Sequence, residues 1–590
     1  MTSAPSPALE AARALLRARF GYPDFRHAQI GALEAVLGGQ DALIVLPTGG
    51  GKSLCYQVPA LLRDGLTLVL SPLIALMKDQ VEALERRGLP AAYINSTLSG
   101  GEVADRIAEV EAGRVRLLYL APERVEGGRL LRRLQAVGVS MLAVDEAHCI
   151  SEWGHDFRPS YRRIGTLRDQ LGGPQTVALT ATATPDVRQD IVRQLALRSP
   201  RVVVAGFDRT NLTYHVASTR TQQDKDAAAV AWLREAEGPA IVYAPTRKAV
   251  ERVAGALNRR RLRGVAYHAG LDDASRRRAL DAFMQEQVRV IVATSAFGMG
   301  IDKPVVRLVV HHAMPGSLEA YYQEAGRAGR DGHPSTCVLL HSYPDRFTQE
   351  FFIGAAHPER RVVEQLWRLL AARADASGLV SDRLAELAGA LPRELGARKV
   401  EAALRLLQGA GVCTPEAPAP GRVWVRLLAT PARITRELTG ARELDRELLR
   451  ALWRLAGRRL ESGVSLDLDG LPQVFGGSSG VIPVLERLEG GQYVTWHRQG
   501  GGWRLPAERS TEARVPVDWA ALERRRQADL QRLDAMQGYA QTRYCRRAYL
   551  LRYFGDPAAR EACAGCDRCL GSAAADPGRG ARPRRRPVRA

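Results

Sequence analysis

Residues 43–53 read LIVLPTGGGKS, an apolar strand that runs into a glycine-rich turn ending in Lys52 and Ser53. Glycines let successive backbone N–H groups converge on phosphate oxygens. A lysine at the end of the turn reaches the β- and γ-phosphates, and the hydroxyl beside it ligates Mg²⁺. Thr48, Gly49, Gly50, Gly51, Lys52 and Ser53 are therefore expected to hold a nucleoside triphosphate. The general cradle pattern begins with a glycine at position 46, where this chain has Leu46, so the match lies in the second half of the motif. Strand, cradle and helix in that order predict a parallel α/β sheet.

Further along, MLAVDEAH (141–148) supplies the other half of such a site. Asp145 at the end of an apolar strand is expected to take Mg²⁺ together with Ser53. Glu146 is expected to orient and deprotonate the attacking water, a second carboxylate that hydrolysis needs and mere binding does not. A second α/β unit is legible in IVYAPT (241–246), VAYHAG (265–270), VRVIVATSAFGMGID (288–302) and RLVVHH (307–312), apolar strands separated by helical stretches. It has no phosphate cradle. It carries instead YYQEAGRAGRDG (321–332), with Gln323, Arg327 and Arg330. A triphosphate held by one lobe completes its transition-state shell when the other delivers an arginine, and hydrolysis then becomes relative motion of the lobes.

Four of the eight cysteines cluster as Cys545, Cys563, Cys566 and Cys569. Four thiolates make a closed tetrahedral Zn²⁺ site, structural because no position is left for water; an iron–sulfur cluster uses the same donors and stays open at this point. The remaining Cys55, Cys149, Cys337 and Cys413 are scattered singly. The stretch CISEWGHDFRP (149–159) offers Trp153 and Phe157 as faces for base stacking, and His155 and Arg158 as donors to phosphate or base.

Taken together these segments resemble the RecQ family of DNA helicases, in helicase superfamily 2. The resemblance covers residues 14–345 and 520–570. It rests on FGYPDFRHAQ (20–29), TGGGKSLCYQ, SPLIALMKDQ, the DEAH box with its aromatic loop, ALTATAT (178–184), the 321–332 segment, and RYCRRAYLLRYFGD with CAGCDRC. It implies that Tyr22 stacks on adenine, that Gln29 reads its polar edge in a bidentate contact, and that Arg26 lies nearby. It further implies Arg330 as the arginine finger, Arg327 as a second γ-phosphate contact, and Asp302 as a nucleotide sensor across the cleft. Ser71 to Gln80 and Ala293 to Ser295 would hold the DNA backbone. The implied activity is ATP-dependent translocation 3′ to 5′ on single-stranded DNA. Implied partners are single-stranded and branched duplex DNA, single-stranded-DNA-binding protein and other repair factors, in recombination and repair. An RNA helicase, and an ATP-gated DNA clamp or annealing protein without productive unwinding, are the alternatives left open.

At 590 residues the chain has room for about three to five domains. The expected layout is an α/β architecture of two RecA-like parallel-sheet lobes in tandem, 1–206 and 207–345, then a mostly helical, winged-helix-like region (346–515). A zinc module (516–572) and a basic tail (573–590) follow. In the commonest family layout the zinc module follows the second lobe directly, so the 346–515 interval is a departure. Within it, 379–413 has helix–turn–helix periodicity. YVTWHRQGGGWRLP (493–506) reads as a hairpin about Gln499 and the glycines, a wing that tracks a phosphate backbone or an ordinary packed hairpin.

The net charge of +20 favours polyanionic partners, although 78 of the 84 basic residues are arginine, so single arginines carry little weight. The tail PGRGARPRRRPVRA (577–590) has six arginines and no acid; it is expected to be disordered, as a phosphate contact or a solubilising tail. No apolar run approaches the roughly 18 residues of a membrane span, which excludes a channel or transporter. The first twenty residues lack the uninterrupted apolar core of a secretion signal, so an intracellular, chromosome-associated protein is expected.

Overall fold

The computed structural model describes residues 6–571 except 48, 96–97, 126–127, 155, 299–302, 383, 393–394, 417–421, 439–442, 469–470, 472–474, 476, 499–501, 507–514 and 557. Thr48, His155, Asp302 and the basic tail therefore lie outside the described residues. The chain divides into two compact units. The first holds residues 1–350 with 527–590, and the second holds 351–526. Helices Asp345–Ala356 and Trp519–Gln541 each carry the chain from one unit to the other, which is why these divisions fall a few residues past 345 and 515.

In the first lobe the strands are β1 (Ala42–Val45), β2 (Leu66–Leu70), β3 (Ala91–Ile94), β4 (Leu117–Leu120), β5 (Val139–Val144), β6 (Gln175–Thr180) and β7 (Arg201–Val204). They form one sheet in the order β3-β4-β2-β5-β6-β1-β7, every pair parallel. Strands such as ALIV and LTLVL are buried along their whole length, the continuous apolar pattern of a sheet covered by helices on both faces.

The second lobe contributes β8 (Leu212–Ser218), β9 (Ala240–Tyr243), β10 (Gly264–Tyr267), β11 (Val290–Ala293), β12 (Leu308–His311) and β13 (Ser335–His341). These too are all parallel, in the order β10-β11-β9-β12-β13-β8. Six strands thus repeat one arrangement, with β8 standing where β1 stands and β12 where β5 stands. Ligands of such sheets sit beyond the carboxyl ends of the strands, where β1 and β5 deliver the glycine turn and the DEAH carboxylates.

The 351–526 unit contains one winged-helix-like module inserted into another. The outer one has helices Arg360–Arg373, Leu384–Ala390 and Gly396–Gly409 and a sheet of β14 (Leu379–Val380), β15 (Thr414–Glu416) and β19 (Gly502–Arg504). Its core includes Leu366, Trp367, Leu387, Leu404 and Leu407. Between β15 and β19 the chain makes β16 (Arg422–Leu427), helix Glu443–Ala456, β17 (Val464–Asp467), helix Gly477–Gly490 and β18 (Val494–Arg498). These strands form a separate antiparallel sheet in the order β17-β16-β18 over its own core.

The hairpin expected at 493–506 is overturned. β18 pairs with β16, whereas β19 pairs with β14 and β15, so Trp496 and Trp503 belong to different sheets. Gly502, at φ +134°, lies so close to the Val380 carbonyl that a side chain has no room, and Arg504 then forks onto Glu416. Among the described residues no helix is long and apolar enough to cross a membrane.

Candidate functional site

The turn after β1 has the geometry of a phosphate cradle. Gly49 and Gly51 both adopt φ +77°, and the Gly50 N–H closes a turn on the Pro47 carbonyl at 2.9 Å. A Cβ at Gly50 would stand 2.8 Å from that carbonyl, so the position admits only glycine. Leu46, where the general motif has glycine, is buried in the lobe core, and its N–H donates to the Thr180 carbonyl at 3.1 Å. The cradle therefore opens one residue later, at Pro47. Ser53 sits at the N-cap of helix Leu54–Leu62 and makes no side-chain cap.

Lys52 is partly buried. Its Nζ donates to the carbonyls of Leu46 at 3.1 Å and Pro47 at 3.4 Å. Burial holds its pKa below the ordinary lysine value, with Arg330 acting in the same sense, while the charges of Glu146 and Asp145 oppose the shift. Burial and the adjacent Glu146 charge push the Asp145 carboxyl up. Burial works on Glu146 in the same direction, but the His148 hydrogen bond and charge, with Lys52 and Arg158, outweigh it and leave that carboxyl below its ordinary range.

Glu146 takes a left-handed backbone conformation at φ +47°, costly for a residue with a side chain and concentrated at functional sites. Its Oε2 lies 3.3 Å from His148 Nδ1, and that nitrogen is 2.8 Å from Thr180 Oγ1 at the end of β6.

The segment before β1 closes the other side of the cradle. Arg26 Nη1 donates to the Gly49 carbonyl at 2.7 Å, and Tyr22 is half-exposed beside it in sequence. Gln29, expected as the bidentate base reader, is hydrogen-bonded on both sides. Its Oε1 accepts from the Arg26 N–H at 2.7 Å, and its Nε2 donates to the carbonyls of Gly50 at 3.2 Å and Gly51 at 3.0 Å. Both ends of the amide are committed to protein, so here Gln29 ties the adenine segment to the cradle.

Lobe 2 reaches the same place. A Cβ on Gly49 would stand 3.8 Å from Arg330 Cγ, which puts the stem of Arg330 against the glycine turn. Gln323 Nε2 donates to Thr182 Oγ1 at 3.2 Å, joining the 321–332 segment to ALTATAT across the lobes. Arg327 is buried against Gly298 in the segment leading to Asp302.

The aromatic loop leaves the DEAH box as a tight fold. Gly154 N–H donates to the Ser151 carbonyl at 3.0 Å and Arg158 N–H to the Cys149 carbonyl at 2.9 Å, while Arg158 Nη1 reaches the Pro72 carbonyl at 3.0 Å. The Trp153 side chain is 44% exposed, which takes it out of the core, and Phe157 is half-buried. Ser71, at the end of β2, is buried with no partner for its hydroxyl, and Gln80 accepts from Gln57 at 2.9 Å. Ala293 ends β11, with Ser295 two residues beyond.

The four cysteines converge. Their sulfurs all lie within 4.8 Å of one another, Cys545 and Cys566 at 4.0 Å, and none forms a disulfide. Backbone N–H groups of Ala548, Gly565 and Cys563 point at Cys545, Cys563 and Cys569 at 3.3–3.4 Å, the environment a thiolate needs. This donor set fits a closed tetrahedral Zn²⁺ site, held by Cys545, Cys563, Cys566 and Cys569, in which the metal organises the fold. His148, Cys149 and Asp156 also approach one another, but beside Glu146 they serve as a hydrogen-bonded support.

The family descriptions that match are DEAD/DEAH box helicase over residues 26–191, Helicase conserved C-terminal domain over 224–332, and RecQ zinc-binding over 508–570. The ATP-dependent DNA helicase RecQ of Bacillus subtilis is 46% identical over 364 residues, 61% of each chain. The probable ATP-dependent DNA helicase RecS of the same organism is 42% identical over 336 residues, 57% of this chain and 67% of that one.

The chain belongs to the RecQ family.

It spans 53 to 61% of the length of the RecQ relatives from B. subtilis, Pasteurella multocida and Haemophilus influenzae. Among solved structures, the Lhr helicase of Mycobacterium smegmatis with ssDNA and AMP-PNP is similar over 68% of this chain and 58% of that one, at 22% identity and TM-score 0.46.

The RecQ zinc module packs against the two lobes. Phe554 stacks on Phe207 at 4.8 Å, its carbonyl accepts from Arg188 at 3.0 Å, and Arg547 donates to Asp208 at 2.6 Å and to the Leu212 carbonyl at 2.6 Å. It thereby grips the segment that joins the lobes. Arg546, fully buried, pairs with Asp567. Sequence reasoning missed the contacts of Phe554 and Arg547, whose partners lie more than 300 residues away.

Proposed function

We propose that this RecQ-family chain is an ATP-dependent DNA helicase that translocates 3′ to 5′ on single-stranded DNA and opens duplexes, forks or junctions in recombination and repair. The observation that carries the reading is the convergence of Lys52 and Glu146 from lobe 1 with Arg330 from lobe 2 on one glycine turn. A nucleotide-binding protein needs the turn alone; a motor needs the second lobe to be felt there.

Gly49 to Gly51 receive the phosphates on backbone N–H groups, with Thr48 as a further nucleotide contact. Lys52 leaves its two carbonyls for the β- and γ-oxygens, and Tyr22 and Arg26 flank the base. Ser53 and Asp145 would hold Mg²⁺, which neutralises charge on the transferred phosphoryl group. Glu146, kept ionised, takes a proton from the attacking water, and Arg330 stabilises the charge that develops, with Arg327 as its companion. Asp302 completes the nucleotide contacts from lobe 2. Trp153, His155, Phe157 and Arg158 report DNA to the same strand end, because the loop that carries them begins three residues after Glu146. Single-stranded and branched DNA are the substrates, single-stranded-DNA-binding protein and repair factors the partners, and the chromosome inside the cell the place of action.

The test is ATP turnover with single-stranded DNA, RNA or neither. Strong stimulation by DNA and weak stimulation by RNA supports the proposal; stimulation by RNA alone makes the chain an RNA helicase.

A further inference from the structure

The long helix that leads into the zinc module reaches the aromatic loop through one side chain. Arg532 Nη1 donates a 2.6 Å hydrogen bond to the carbonyl of Trp153, 379 residues away in the chain. Its Nη2 is held by Asp529 one turn earlier, and the side chain is 11% exposed. The guanidinium is thus fixed before it meets the loop, and a fork anchored at one end on a carboxylate has little orientational freedom to lose.

On the loop side, Trp153 N–H donates to Ser151 Oγ at 3.2 Å, and Gly154 is pressed on the His148 carbonyl, two residues from Glu146. The same module touches lobe 2. Tyr553, eight residues past Cys545, donates to Glu319 Oε1 at 2.8 Å, on helix Leu318–Ala325, which carries Gln323 and leads to Arg327 and Arg330. One module therefore contacts the loop that faces DNA and the helix that presents the arginine finger.

We propose that Arg532 is a positioning residue, which holds the backbone of Trp153 so that its indole meets single-stranded DNA in one orientation and DNA binding is felt at the ATP site. This rests on the helicase reading above. Arg532 touches neither nucleotide nor reacting atoms, so its loss leaves DNA-free turnover in place and weakens only the response to DNA.

The experiment measures ATP turnover against oligo(dT) concentration for the full chain and for Arg532→Ala and Arg532→Lys, with bound zinc determined for each. For Arg532→Ala, wild-type zinc and DNA-free turnover are expected, with the half-stimulating oligo(dT) concentration raised about tenfold, the factor one charge-assisted hydrogen bond carries. Arg532→Lys is expected to recover part of the response, since an ammonium reaches one acceptor but lacks the fork. An Arg532→Ala activation curve that superimposes on wild type, or a rise in DNA-free turnover with no shift in DNA response, overturns the proposal. Should Arg532→Ala lose zinc, Asp529→Ala decides, because it frees the guanidinium and keeps it: a shift of the same sign supports the proposal and an unshifted curve overturns it. A wild-type chain that DNA does not stimulate at all removes the helicase reading and this one together, whereas a stimulated wild type with unshifted variants removes this one alone.

Discussion

The two lobes arrange six strands in the same order, yet only one of them holds a phosphate cradle, and the difference lies in how one helix begins. In lobe 1, β1 runs into three glycines, and helix Leu54–Leu62 starts at Ser53 with no side-chain cap. At the matching place in lobe 2, β8 runs into Thr221, which closes a capping box with Asp224 at the head of helix Gln222–Glu235. At the start of the lobe 2 helix the Thr221 N–H is taken by the Asp224 carboxylate and the Asp224 N–H by the Thr221 hydroxyl.

Each helix start also has a lysine, partly buried at Lys52 and buried at Lys225. Lys52 Nζ rests on the carbonyls of Leu46 and Pro47 with the charges of Asp145 and Glu146 nearby, whereas Lys225 is neutralised by a direct ion pair with Asp345, which also accepts from the N–H groups of Met314 and Ser342. A cation paired with an ion is structural; a cation resting on two carbonyls is available to a ligand. One fold thus yields a nucleotide site and a rigid carrier for an arginine.

This contrast breaks most sharply at the arginine that lobe 2 delivers. Arg330→Ala is expected to lower DNA-stimulated turnover by about 10³-fold or more while nucleotide still binds. A loss of only a few-fold would mean that lobe 2 contributes nothing to the hydrolytic step. Lys52→Ala is expected to cost about 10²- to 10³-fold in turnover with DNA binding kept, and near-normal turnover would sink the cradle assignment.

The matching change in lobe 2 should do something different in kind. Lys225→Met leaves Asp345 buried and unpaired, so thermal or urea unfolding should show a loss of about 3 kcal/mol, with the Michaelis constant for ATP unchanged. A shift in ATP affinity without a loss of stability would erase the distinction between the two lysines. The smallest effect concerns the loop. Trp153→Ala is expected to reduce stimulation by single-stranded DNA about tenfold, with measurable DNA binding retained, as one lost stacking face predicts. Normal stimulation would return that residue to a packing role.

The parts legible in the sequence are those whose chemistry is local. The glycine turn, the DEAH carboxylates and the WGHDFR loop each lie within a few residues and the cysteine quartet within 25, and side-chain type with spacing is enough to name their partners. The parts that were not legible depend on pairing at a distance. The stretch 493–506 reads as a hairpin because two short strands flank glycines, and only the positions of β14, β15 and β16 show that its halves belong to different sheets. The contact of Arg532 with Trp153 had no signal in a chain with 78 arginines. The cap on Thr221 was present in the text as T-x-x-D, and its importance emerges only once β8 is seen to stand in the place of β1.

The account's central claim is that closing two unlike lobes on ATP drives a directional motor on DNA. Strand displacement on duplexes bearing either a 3′ or a 5′ single-stranded tail tests it most directly, with ATP, Mg²⁺ and Lys52→Ala as control. Displacement from the 3′ tail only, abolished in Lys52→Ala, is the predicted result. DNA-stimulated ATP turnover with no displacement from either tail would contradict it and leave a nucleotide-gated clamp or annealing protein.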